Sequence, residues 1–110
     1  MKILHVIKNE NLNNISQFMT DEYLVRIGFI PCCTNDTLKY VLQYYLSKYE
    51  KTKLMIVEID SEKVTSEIKW EEWNNSGNFY PHIYGGIEQD AIIGVISITE
   101  WDKQEVQKHE

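Results

Sequence analysis

A chain of 110 residues with 43% hydrophobic and 25% charged side chains makes one domain, long enough to bury a core without staples. Asp and Glu number 17 against 11 Lys and Arg, a net charge of −6, and the basic residues are scattered, which disfavours general attraction to nucleic acid or an anionic membrane. Cys32 and Cys33 are adjacent, a spacing that strains a disulfide ring, so reduced thiols and a cytoplasmic setting are expected. The apolar opening from Met1 to Ile7 is too short for a signal core or a membrane span.

Ile3, Val6 and Ile7 predict a first strand over residues 2–7. Asn11 offers a cap, and Leu12, Ile15, Phe18 and Met19 recur at helical spacing, predicting a helix over 12–20. Tyr23-Leu24-Val25 and Ile27-Gly28-Phe29-Ile30 read as short extended pieces, with Pro31 as an irregular strand edge. Thr34-Asn35-Asp36 offers caps to a long helix whose apolar face is Leu38, Val41, Leu42, Tyr45, Leu46 and Tyr49. Residues 53–59, with Leu54-Met55-Ile56-Val57 at their centre, read as a strand buried on both faces. Residues 60–64 suggest one helical turn or a tight connection. Ile68 and Trp70 alternate with Lys69 and Glu71, the pattern of a half-buried strand.

Asn74 to Asn78 is a loop. A strand over Phe79–Tyr84, a reversal at Gly85-Gly86 and a last strand over 91–98 follow, and the polar residues from about Asp102 are expected to fray. The expected fold is a single α+β domain over residues 1–101, with helices on a mixed or antiparallel sheet, and a polar tail at 102–110.

Chemistry concentrates at Phe79-Tyr80-Pro81-His82-Ile83-Tyr84, where His82 shares a strand face with Tyr80 and Tyr84. Hydrogen bonds from His82 and Tyr84 to the 74–78 loop are the structural alternative to a ligand site. His5 lies among apolar residues of the first strand, where an interior histidine bonded to backbone or carboxylate explains it as well as ligand binding does. Glu71 has a better claim than Glu58 to sit beside an imidazole, because Trp70 takes the opposite face. Cys33 and Thr34 precede the long helix, where its dipole favours a thiolate or an anion, although cysteine is also a common interior residue. His5, His82 and His109 with the cysteine pair have no recognised metal-ligand spacing. Tyr40, Tyr44, Tyr45 and Tyr49 read as packing and amphipathic surface rather than a stacking platform.

Several pieces stand in a familiar order: Ile3-Leu4-His5-Val6-Ile7, then Gly28-Phe29-Ile30-Pro31-Cys32-Cys33-Thr34, then Met55-Ile56-Val57-Glu58-Ile59-Asp60. Trp70-Glu71, the Pro81-His82-Ile83-Tyr84-Gly85 segment and Asp90-Ala91 complete the set. Together, over roughly residues 3–98, they resemble the bacterial family called domain of unknown function 952. The resemblance implies a compact relative of the ADP-ribosyltransferase fold, a split β-sheet that in enzymes binds nicotinamide adenine dinucleotide in a cleft. It implies that His5 matches the polar first-strand residue that orients the dinucleotide. Pro31 stands where the family usually has histidine and Cys33 where it has serine. The late glutamate of such transferases has no assignable counterpart, since Glu88 falls in a turn and Glu100 beyond the last core strand.

Residues and resemblance together point to a cleft for a nucleotide or phosphorylated small molecule, NAD or ADP-ribose in kind, with no metal. His5, His82 and Glu71 are the candidate catalytic residues, and Cys33, Thr34 and Tyr84 the candidate ligand-binding ones. Transfer or hydrolysis at a ribose is the reaction the resemblance implies. A non-catalytic interaction or regulatory module on the same scaffold is the alternative, and a thiol enzyme using Cys33 is a third reading; no protein partner is legible.

Overall fold

A computed structural model describes residues 1–10 and 24–108. The helix expected over 12–20, its Asn11 cap and His109 lie outside the described residues. Among the described residues six strands and three α-helices follow in chain order: β1 (Lys2–Lys8), α1 (Leu24–Ile27), β2 (Ile30–Pro31), α2 (Leu38–Leu46), β3 (Leu54–Asp60), β4 (Glu67–Glu72), β5 (Phe79–Tyr84), β6 (Ile92–Ser97) and α3 (Ile98–Lys108).

The strands form two three-stranded sheets of order β1-β3-β6 and β2-β5-β4, antiparallel throughout, so the expected sheet is split and has no parallel pair among the described residues. Among the described residues one isolated backbone bridge links them. Leu4 and Cys33 exchange backbone bonds of 2.8 and 2.7 Å, while Cys32 N–H reaches the Pro81 carbonyl at 3.1 Å.

Alternation then sorts the side chains. Odd residues Ile3, Ile7, Val57 and Ile59 face Ile30 and Ile83 of the second sheet, closing a core between the sheets. Even residues Leu4, Val6, Leu54 and Ile56 pack on the other face, against Leu38 and Leu42 of α2 and Ile98 of α3. The register slips between Glu58 and Ile59, so Ile59 opposes Ile92 instead of Ile93. That bulge returns Ile92 to the inter-sheet core and leaves Ile93 59% exposed.

Two sequence expectations are corrected. Residues 24–27 form a helical turn rather than extended chain, and Gly28 at φ +85° ends it in the left-handed region. Gly85 and Gly86 have no positive φ; the left-handed residues beyond Gly28 are Asn74, Asn75 and Gly77 of the β4–β5 loop, among the described residues. The segment from Asp102 is the body of α3. Trp101 Nε1 donates to Asn35 Oδ1 at 3.1 Å, Asn35 Nδ2 donates to Glu105 at 2.9 Å, and Lys51 pairs with Asp102 at 2.9 Å. Those ties come from residues more than 50 positions away, which local polarity cannot announce.

Candidate functional site

β5 and β4 build the polar cluster. Their register places Tyr80, His82 and Tyr84 opposite Glu71, Lys69 and Glu67, all on one face, while Ile83 and Ile68 turn into the inter-sheet core. Glu71 leans diagonally: its Oε1 accepts from His82 Nδ1 at 2.9 Å and from the Tyr84 hydroxyl. An ionised carboxylate only accepts, so His82 Nδ1 is the donor, and in the neutral form of the ring the lone pair lies on Nε2. The Tyr84 bond first, and the His82 bond second, hold the Glu71 carboxyl below its ordinary range; the same Glu71 contact raises Tyr84. Phe29 lies flat on the imidazole, with centroids 4.1 Å apart and planes 14° apart, and Lys69 Nζ lies 4.7 Å from the Tyr84 ring centre.

His82 also stands on the wall of a cavity of about 380 Å³. Leu4 and Val6 of β1 form part of that wall, with Phe29, Pro31, Cys32 and Cys33 beside β2 and Tyr80 from β5. The helix side brings Tyr44, Tyr45 and Tyr49, and the β4–β5 loop brings Trp73. Tyr44 meets Trp73 edge-on at 5.8 Å, and Trp73 meets Tyr80 edge-on at 6.1 Å, the arrangement that ring quadrupoles favour.

The expected site residues therefore separate. His82, Glu71 and Tyr84 come together, and Cys33 shares the cavity wall with His82. His5 does not join them in one cleft. It lies on the opposite face of β1 from Leu4 and Val6, is 1% exposed, and donates from Nδ1 to the Pro31 carbonyl at 2.6 Å. Burial lowers its pKa to about 4, against the opposing pull of that backbone bond, so the ring is neutral at pH 7.

Thr34 is not on the wall, and the helix begins four residues later, at Leu38. Its N–H donates to Thr37 Oγ1 at 3.0 Å and its carbonyl accepts from Leu38 N at 3.0 Å, so it closes a turn instead of offering donors to an anion. Cys33 is 1% exposed and burial pushes its thiol up to about 12, which removes the thiolate a nucleophile needs.

The wall residues that sequence reasoning passed over are Phe29, Trp73, Lys8, Arg26, Lys48 and the tyrosines of α2 and its end. Only the tyrosines carried a local signal: Tyr44, Tyr45 and Tyr49, with Lys48 one turn after Tyr44, fall on one side of a helix.

Two antiparallel sheets joined at a single bridge, with helices over one face and a walled cavity beneath them, define a small split-sheet α+β domain. The model of the family described as "Protein of unknown function (DUF952)" matches residues 5–95, and the chain belongs to that family. The chain is similar in structure to protein CC0527 from Caulobacter crescentus, with a TM-score of 0.65 at 16% identity, covering 88% of this chain and 85% of that one. A double mutant of the same Caulobacter protein gives a TM-score of 0.64 at the same identity and coverage. At that identity the likeness shows the fold alone. No curated protein matches the sequence. No described helix is long and apolar enough to cross a membrane.

Proposed function

We propose that the cavity binds a nucleotide or another phosphorylated small molecule, with His82 on its wall and Glu71, which also binds Tyr84, holding that imidazole from outside the wall. The observation that carries this reading is an imidazole, held through Nδ1 by a carboxylate, on the wall of an aromatic-lined cavity of about 380 Å³. Small-molecule sites combine that order of volume with apolar walls and a few placed polar groups. NAD or an ADP-ribose-like compound is the ligand class the ADP-ribosyltransferase resemblance suggests. The reaction it suggests, transfer or hydrolysis at a ribose, would draw on His82 Nε2 as proton acceptor. Glu71 then acts as a positioning residue, fixing the tautomer from behind. A cytoplasmic setting with both thiols reduced accords with this reading.

Calorimetric titration with NAD, ADP-ribose and inorganic phosphate, on the intact protein and on His82→Ala, tests it. The expected result is binding of at least one of the three, weakened about tenfold or more in the variant while circular dichroism stays the same, the scale of losing one well-placed polar contact. Silence from all three with the intact protein would overturn the reading.

A second reading has its own support. Pro31, on the cavity wall, has no imidazole to offer where the family usually has histidine. Glu88 is tied to Thr65, at 3.1 Å from its N–H, and Glu100 is exposed on α3; neither lines the cavity. A scaffold that binds without turnover, serving interaction or regulation, fits those positions. Binding of ADP-ribose without conversion over long incubation selects it.

A further inference from the structure

The charge on the cavity wall runs against the charge of the chain. Acidic residues outnumber basic ones 17 to 11 overall, yet the described wall carries Lys8, Arg26 and Lys48 and no Asp or Glu. Lys8 ends β1 and Lys48 follows α2, forty positions apart, so the fold and not a basic run brings them to one wall.

Their partners differ from those of three other lysines. Lys2, Lys51 and Lys69 each pair with a carboxylate, at 3.0, 2.9 and 3.4 Å. Among the described residues neither Lys8 nor Lys48 does. Each lies instead over a tyrosine of the same wall: Lys8 Nζ is 4.6 Å from the Tyr49 ring centre and Lys48 Nζ is 4.5 Å from that of Tyr44. Lys48 Nζ also donates to the Tyr44 hydroxyl at 2.8 Å. A ring face orders an ammonium without neutralising it, so the charge remains for an incoming anion and less side-chain freedom is lost when that anion binds.

We infer that Lys8 and Lys48 form a phosphate subsite at the tyrosine side of the cavity, and that the ligand is a nucleoside phosphate. Its planar base lies against Trp73, Tyr44 and Tyr80, and its phosphate meets the two ammonium groups. Arg26 adds a third cation to the wall, but the assignment stands on the two lysines. This rests on the reading of the cavity as a nucleotide site and puts the phosphate away from the Thr34 turn, where the helix start is expected to favour an anion. Aromatic rings that already carry cations also turn away cationic ligands, which narrows the class further.

ADP-ribose and adenosine, titrated at low and at high sodium chloride into the intact protein and into Lys8→Gln/Lys48→Gln, separate the subsite from the cavity. ADP-ribose should bind the intact protein more tightly than adenosine. It should lose about tenfold or more in the double variant, the equivalent of one charge-assisted contact. Salt should weaken ADP-ribose in the intact protein and have much less effect in the variant, because only charge pairs are screened. Adenosine should bind both proteins alike. Equal affinity for the two ligands, or an unchanged ADP-ribose affinity in the variant, overturns the phosphate subsite while leaving the cavity reading in place. Binding of neither ligand to the intact protein overturns both.

Discussion

His5 meets two opposing demands. Its Nδ1 proton satisfies the Pro31 carbonyl at 2.6 Å, yet full burial penalises the charged ring and lowers its pKa from 6.5 to about 4. Between those values the unfolded chain holds more protons than the folded one, so stability falls as the pH falls from about 6.5 to about 4. Above 6.5 both states are neutral and nothing is lost; below about 4 the loss is complete, at roughly 3 kcal/mol. Urea denaturation at intervals across that window should show the slope in the intact protein. It should be reduced in His5→Asn, which keeps a donor for Pro31 but cannot take up the proton. Parallel pH profiles for the two proteins would remove His5 as the cause. Glu71 acts in the same direction, because a carboxyl held below its ordinary range contributes stability above that range and loses it as the pH drops through the lowered value. Both proteins share that contribution, so their difference isolates the histidine.

At the scale of elements, one corner shows why a glycine can matter without positive φ. A Cβ built on Gly85 would collide with the Ser66 hydroxyl and lie 2.7 Å from Ser66 Cβ. Ser66 is held there by its own bond to the Gly86 carbonyl at 2.8 Å, fastening the lead-in to β4 onto the end of β5. Gly85→Ala is therefore expected to cost about 1–3 kcal/mol through overpacking. Adding Ser66→Gly should recover most of it, a coupling that a double-mutant cycle of thermal melts would measure. Additive costs would show that the close approach is not the reason for the glycine. The elements themselves were legible where the local pattern is strong: β1 and β3 as β-favouring apolar runs, β5 by its alternation and α2 by its helical spacing. α1 and α3 were not, since one is a single turn closed by Gly28 and the other is polar and held by Asn35 and Lys51 from elsewhere in the chain.

Across the whole molecule, the two sheets are held together chiefly by apolar packing, with Ile30 and Ile83 of one against Ile3, Ile7, Val57 and Ile59 of the other. Ile83 is 0% exposed at the centre of that contact. Ile83→Ala is expected to cost about 2–5 kcal/mol from lost burial plus the cavity left behind. Hydrogen exchange should show β3 and β4 amides losing protection together. Protection lost in β4 alone, with β3 unchanged, would mean that the sheets fold as separate units. The same closure assembles the cavity, which draws its wall from β1, α1, the β2 neighbourhood, the α2 region, the β4–β5 loop and β5.

The sequence by itself determined whatever a local pattern can encode: the apolar runs of the buried strands, the face of α2, the loop at Asn74 to Asn78, and the strand mates His82 and Tyr84. Glu71 could be marked as the better carboxylate because its neighbour Trp70 must point the other way. Tertiary structure alone decided that the β1 face of Leu4 and Val6, and not that of His5, meets the cavity, that Phe29 covers His82, and that Lys8 and Lys48 lie over tyrosines of a common wall. Those outcomes depend on which strands pair and where the sheets join, and contacts between residues tens of positions apart leave no periodic trace in the chain.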